Sequence, residues 1–144
     1  MLNRVAVRIE RSGGAGYGKA ALLEDLRQKT VASAVTLANS VPNSKLIVFT
    51  RRGSMARYVS NMRPEHAPIF AFTPSPQVYR QLALCWGTFS LTIEFTDDHN
   101  STIEGAIKLL RRAKMIAPKD NLVIISDIRA GKSLVDCVQL REVK

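Results

Sequence analysis

Four short apolar runs, separated by stretches of helical periodicity, set the strongest limit on what this chain can fold into. The runs cover residues 46–49, 67–72, 89–95 and 121–126. The first, second and fourth are nearly continuous in large apolar side chains, which is the pattern of strands covered on both faces. The third alternates. Between the runs, residues 54–61 carry Met55 and Val59, with Met62 just beyond. Residues 75–85 carry Val78, Leu82 and Cys85, and residues 101–115 carry Ile103, Ala106, Ile107, Leu110 and Ala113. Strand followed by helix at this spacing predicts parallel β-α-β units. A fifth strand is expected over residues 136–143, where Cys137, Gln139, Arg141 and Val143 alternate with Val138, Leu140 and Glu142. Its partial polarity suits a sheet edge. The loop before it is too short for a crossover, so it should pair antiparallel and make the sheet mixed.

An earlier helix is expected from Ala21, with Leu22, Leu23, Leu26, Val31, Ala34, Val35, Leu37 and Ala38 as its apolar face. Pro42 helps to end it, because proline lacks an amide donor and restricts its predecessor. Residues 1–20 read as a flexible leading segment or a boundary. Gly13, Gly14, Gly16 and Gly18 fall within seven positions there, with few large apolar groups to offset the entropy of ordering them. Their spacing matches neither a dinucleotide fingerprint nor a phosphate loop. Residues 21–144 then form one domain, a common size for a single core.

Composition narrows the function. The chain carries 21 basic and 12 acidic residues, a net charge of +9. The excess is concentrated in residues 1–66, with eleven basic against four acidic side chains. Such a surface favours phosphorylated metabolites, an acidic partner or nucleic acid. No helix-turn-helix, zinc-finger or aromatic RNA-binding signature accompanies it, which argues against nucleic acid. No apolar stretch reaches membrane-spanning length, and residues 1–8 are too short and charged for a secretory signal. The expected location is cytoplasmic, with no membrane partner. Cys85 and Cys137 read as buried thiols, and with only His66 and His99 a zinc site is not expected. His99 has no nucleophile or acidic partner in its sequence neighbourhood, and His66 reads as a loop or cap residue. The adjacent Asp97 and Asp98 read as turn or helix-start chemistry.

Four segments carry a family resemblance. Ile47-Val48-Phe49-Thr50-Arg51-Arg52-Gly53-Ser54-Met55-Ala56-Arg57 combines a strand, a threonine-x-x-glycine turn and a helix start. Met62-Arg63-Pro64-Glu65-His66-Ala67-Pro68-Ile69-Phe70-Ala71-Phe72-Thr73-Pro74 is similar to an R-P-x-A-P-I-x-A-x-T stretch with one residue inserted. Residues 80–89 contain the Trp86-Gly87 pair before the third strand, and residues 118–125 make the last helix-to-strand connection. In this order, over about residues 25–144, the chain resembles the C-terminal domain of pyruvate kinase.

The resemblance implies a three-layer α/β sandwich around a five-stranded, mostly parallel sheet of order 3-2-1-4-5. It implies a noncatalytic regulatory and oligomerisation domain. The parent enzyme would transfer phosphoryl from phosphoenolpyruvate to ADP in a (β/α)₈ barrel of roughly 250 residues, too large for this chain. Magnesium and potassium belong to that barrel, and no cofactor is expected in this domain. The resemblance also implies a homo-oligomer joined through C-terminal domains, and an effector site built from two loops. The first loop is Thr50, Arg51, Arg52, Gly53 and Ser54, where hydroxyls, arginines and free amides at a helix start suit an anion. The second spans residues 126–134, with Arg129, Lys132 and Ser133 as phosphate contacts. Arginines at positions 51 and 52 depart from the hydroxyl-rich loop of sugar-bisphosphate-responsive relatives, so the effector class is a phosphorylated metabolite without a name. A freestanding phosphate sensor is the alternative.

Overall fold

The computed structural model describes residues 2–11, 23–130 and 133–144, with the side chains of 2, 9–11, 128–130 and 133 outside the description. The elements in chain order are α1 (Leu2–Arg11), α2 (Leu26–Ser40), β1 (Ser44–Phe49), α3 (Ser54–Asn61), β2 (Ile69–Thr73), α4 (Pro76–Leu82), β3 (Thr88–Thr92), α5 (His99–Arg112), β4 (Asn121–Ala130) and β5 (Ser133–Glu142). The five strands form one sheet of order β3-β2-β1-β4-β5. β3, β2, β1 and β4 are parallel, and β5 is antiparallel to β4. The expected mixed topology and strand order are both present.

Burial follows position in the sheet. Leu46, Ile47, Val48, Ile69, Ala71 and Phe72 in the inner strands have no accessible surface. In the edge strand β3 every residue is partly or fully exposed. Period-two alternation sends Leu46 and Val48 to one face and Ile47 and Phe49 to the other. On the first face they pack with Val31, Ala34 and Val35 of α2, Met55 and Val59 of α3, and Val78 and Leu82 of α4. On the second they meet Ile103, Ala106, Ile107 and Leu110 of α5. Three helices therefore cover one face and one helix covers the other. Each fully buried Leu or Ile removed from water contributes about 1.5–3 kcal/mol, so these two layers dominate the fold.

Four differences from the sequence reading have physical causes. Residues 2–11 are helical, where a flexible segment was expected; the glycine run itself lies outside the described residues. Helix α2 starts at Leu26 rather than Ala21, because Asp25 caps it by accepting from the Gln28 amide at 2.6 Å. Leu26 is consequently exposed rather than on the apolar face. Strand β3 ends at Thr92, before Phe95. Finally, residues 126–130 are not loop. They continue β4 and pair with β5 from Ser126↔Cys137 to Ala130↔Ser133.

Candidate site at the carboxyl ends of the strands

The chain leaves β1 towards β2 and β3, then returns on the other side of β1 to enter β4. That reversal makes the carboxyl ends of β1 and β4 a topological switch point, the place where open α/β sheets take ligands. The loop from Thr50 to Ser54 leaves β1 there.

The loop is fixed from inside. The Thr50 amide donates to the Phe72 carbonyl at 2.9 Å, extending the ladder one residue past β1. The Gly53 amide donates to Thr50 Oγ1 at 2.9 Å and closes the turn. Thr50 is buried, and its hydroxyl keeps a proton to donate. Gly53 has φ +83°, a left-handed conformation that disfavours a side chain. A β-carbon there would lie 3.2 Å from Val78 Cγ1. The close approach that requires glycine is therefore to α4.

Gly53 is also the N-cap of α3 and provides no side-chain cap. Helices α2, α4 and α5 are capped by Asp25, Ser75 and Asp98. The first amides of α3 thus have neither an intrahelical partner nor a capping side chain, and they carry the positive end of the helix dipole. Arg51 and Arg52 are exposed beside them, while Arg57 is exposed on α3. The Arg51 guanidinium lies over the Phe95 ring, 4.9 Å from its centroid. Ser54 is half-buried at the first turn.

The second loop is placed only in part. Arg129 and Ser133 have their backbones in the β4–β5 hairpin, with side chains outside the described residues. Lys132 lies outside them altogether. The hairpin does rise from β4 at the same end of the sheet as the 50–54 loop.

Sequence reasoning missed His99 as a member of this end of the fold. His99 Nε2 sits 2.9 Å from Ser126 Oγ, and Ser126 is fully buried on β4. The partner is distant in sequence, and only the topology brings the two together. Burial is the main cause that lowers the His99 pKa; Asp127 and Asp98 oppose it, and Arg141 reinforces it. Asp98 caps α5 as expected for a helix start. It accepts from the Ser101 hydroxyl and from the amides of Ser101 and Asn100, which lower its pKa in that order.

Other sequence candidates lie elsewhere. Trp86 is partly exposed under the Arg63 guanidinium at 4.8 Å, and it borders a groove of about 220 Å³ with Pro64, Glu65, His66 and Phe89. Cys85 and Cys137 are free and half-buried. Among the described residues no cluster of three or more His, Cys, Asp or Glu side chains could hold a metal ion. No described helix is long and apolar enough to cross a membrane.

The sheet order and the helix layers define an α/β domain covered on both faces. Residues 28–139 match the family model described as pyruvate kinase, alpha/beta domain. The chain is 34% identical over 105 residues to the chloroplastic pyruvate kinase isozyme A of Nicotiana tabacum, covering 73% of this chain and 18% of that protein. It is 39% identical over 92 residues to plastidial pyruvate kinase 3 of Arabidopsis thaliana, covering 64% and 16%. A solved structure of Cryptosporidium parvum pyruvate kinase in complex with ADP superposes with a TM-score of 0.77 at 21% identity, over 86% of this chain and 25% of that one. The chain belongs to the pyruvate kinase family and corresponds to its noncatalytic C-terminal α/β domain. It spans under a fifth of the first two relatives, and the catalytic barrel is not among its residues.

Proposed function

We propose that this domain regulates a pyruvate kinase by binding a phosphorylated metabolite at the Thr50–Ser54 loop and by joining copies of the enzyme. The parent enzyme transfers phosphoryl from phosphoenolpyruvate to ADP in its barrel, with magnesium and potassium. Residues 21–144 form the regulatory unit. The observation that carries the reading is the uncapped start of α3, delivered by β1 to the switch point with Arg51 and Arg52 beside it. Free amides in a fixed turn bind an anion without a large ordering cost, and the two arginines add charge. Long exposed arginines lose entropy when immobilised, so Thr50 and Gly53 shape the site while Arg51 and Arg52 tune its affinity. Arg129, Lys132 and Ser133, whose side chains lie outside the described residues, are the proposed second set of phosphate contacts. Calorimetric titration with a sugar bisphosphate tests this. Changing Arg51 and Arg52 together to alanine should weaken binding about tenfold. Equal affinity in parent and double variant removes both arginines from the site.

Assembly is proposed through β5. This strand is a sheet edge, and an unpaired edge accepts another strand. Leu140 on it is 49% exposed, while Arg141 and Glu142 moderate the edge with charge. Light scattering across a concentration series should show a dimer. A monomer throughout would reject a stable dimer of the isolated domain.

A further inference from the structure

The end of the sheet opposite the 50–54 loop is built by the last turn of α5, the connection into β4 and the end of β5. Between Gly105 and Lys119 the chain holds Lys108, Arg111, Arg112, Lys114 and Lys119 and no acidic residue. All of these cations are exposed. Main-chain hydrogen bonds gather them on one surface. The Lys114 amide donates to the Arg111 carbonyl at 3.0 Å and the Met115 amide to the Leu110 carbonyl at 2.9 Å, so the chain turns back at the end of α5. The Lys119 amide donates to the Val143 carbonyl at 2.7 Å. Arg111 Nη2 donates to the main-chain oxygen of Lys144 at 2.9 Å, which sets the exposed Lys144 beside α5. Even with that oxygen counted as an anion, the face stays strongly positive.

The neighbouring acids are engaged elsewhere. Glu104, one turn before Lys108, pairs with Arg141 at 3.1 Å. Asp120 accepts from the Ala117 amide at 2.8 Å and lies 3.8 Å from Lys45 Nζ. Alternation turns Glu142 away from the face to which Val143 packs with α5.

The cluster costs the isolated domain stability. Lys108 stands at i,i+3 and i,i+4 spacing from Arg111 and Arg112, where like charges destabilise a helix. Lys114 and Lys119 have φ +55° and +71°, left-handed positions that favour glycine. The dipole of α5 favours Arg111 and Arg112 in the last turn, but it accounts neither for Lys108 before that turn nor for Lys119 beyond it.

We propose that this face is a docking surface for an acidic segment of a partner protein, whose carboxylates meet Lys108, Arg111, Arg112, Lys114 and Lys119 and whose apolar side chain rests on Met115. The inference is independent of the reading of the 50–54 loop. Charge complementarity selects an anionic partner. Residues 105–119 hold no aromatic side chain, so a nucleic acid strand has no platform on which to stack its bases. Met115, 38% exposed, is the large apolar side chain open to solvent in that stretch, enough for one side chain of a peptide and too little for a lipid surface.

The test uses the whole chain and three probes: a short peptide of glutamates around one leucine, an oligouridylate of the same charge, and vesicles of phosphatidylserine in phosphatidylcholine. Amide resonances locate binding, and affinities are measured at about 0.02 M and about 0.2 M salt. The peptide should shift the amides of residues 108–119, 143 and 144, and bind about tenfold more weakly at the higher salt. Lys108→Glu with Arg112→Glu should weaken peptide binding about tenfold, whereas Lys29→Glu with Arg80→Glu, an equal change of charge at exposed positions elsewhere, should change it less than about twofold. No shift at this face overturns the proposal. Equal losses in the two double variants overturn it as well, because binding would then follow net charge alone. Oligouridylate or vesicles held at this face more tightly than the peptide overturn the assignment to an acidic protein segment. The map of shifted amides needs no variant, so the test survives a double variant that fails to fold.

Discussion

The 50–54 loop and the outer part of the β4–β5 hairpin leave the sheet at the same end but are held in opposite ways. The loop is tied down at each step: the Thr50 amide to Phe72, the Gly53 amide to Thr50, and Gly53 itself against Val78. The hairpin outruns its support. β1 pairs with β4 only as far as Val48↔Ile125, and beyond this point β4 has only β5 beside it. Leu134 and Val135 there are 68% and 44% exposed. Two-stranded ribbons are marginal by themselves. The hairpin also sets Asp127 opposite Asp136, a like-charge pair that costs stability. Arg27 from α2 answers it, with Nη2 3.1 Å and Nε 3.2 Å from the Asp136 carboxylate. A bonded turn at the end of a buried strand is ready for a ligand before it arrives.

Substitutions separate the two regions. Gly53→Val forces a branched side chain into a left-handed backbone and against Val78. Thermal denaturation should show a loss of about 2–4 kcal/mol from strain and overpacking together. A near-neutral effect would mean the loop is far less constrained than its contacts indicate. Arg27→Ala removes an ion pair whose side chains are 43% and 20% exposed. The expected loss is about 0.5–1 kcal/mol, reduced by screening. The change should appear in hydrogen exchange of residues 127–136, with residues 50–57 unaltered. Equal loosening of both regions would contradict their independence.

The fold was legible where one local rule decided it. Leu46 to Phe49 and Leu122 to Ile125 are apolar on both faces, and strands of that kind belong inside a covered sheet. The short connection before β5 required an antiparallel partner. The start of α2 was legible in principle, since Asp25 followed by Gln28 is a capping pattern, but Leu22, Leu23 and Leu26 extend the helical period past it. The hairpin extension was not legible. Ser126, Asp127 and Arg129 are polar enough to read as loop, and their strand conformation depends on the cross-strand ladder to residues 134–137. The 50–54 loop was singled out by the family resemblance together with its threonine, arginines and glycine, and Gly53 proves to lie against α4. His99 was missed because its partner Ser126 lies 27 residues away and meets it only once α5 packs over β4.

The proposed function requires that an anion settle at the start of α3. A crystal of the domain soaked in inorganic phosphate tests that most directly. We predict phosphate oxygens within hydrogen-bond distance of the amides of Ser54 to Ala56, with Arg51 lifted from Phe95 or Arg52 turned inward to meet them. Phosphate bound elsewhere, with the 50–54 loop packed shut, would contradict the site.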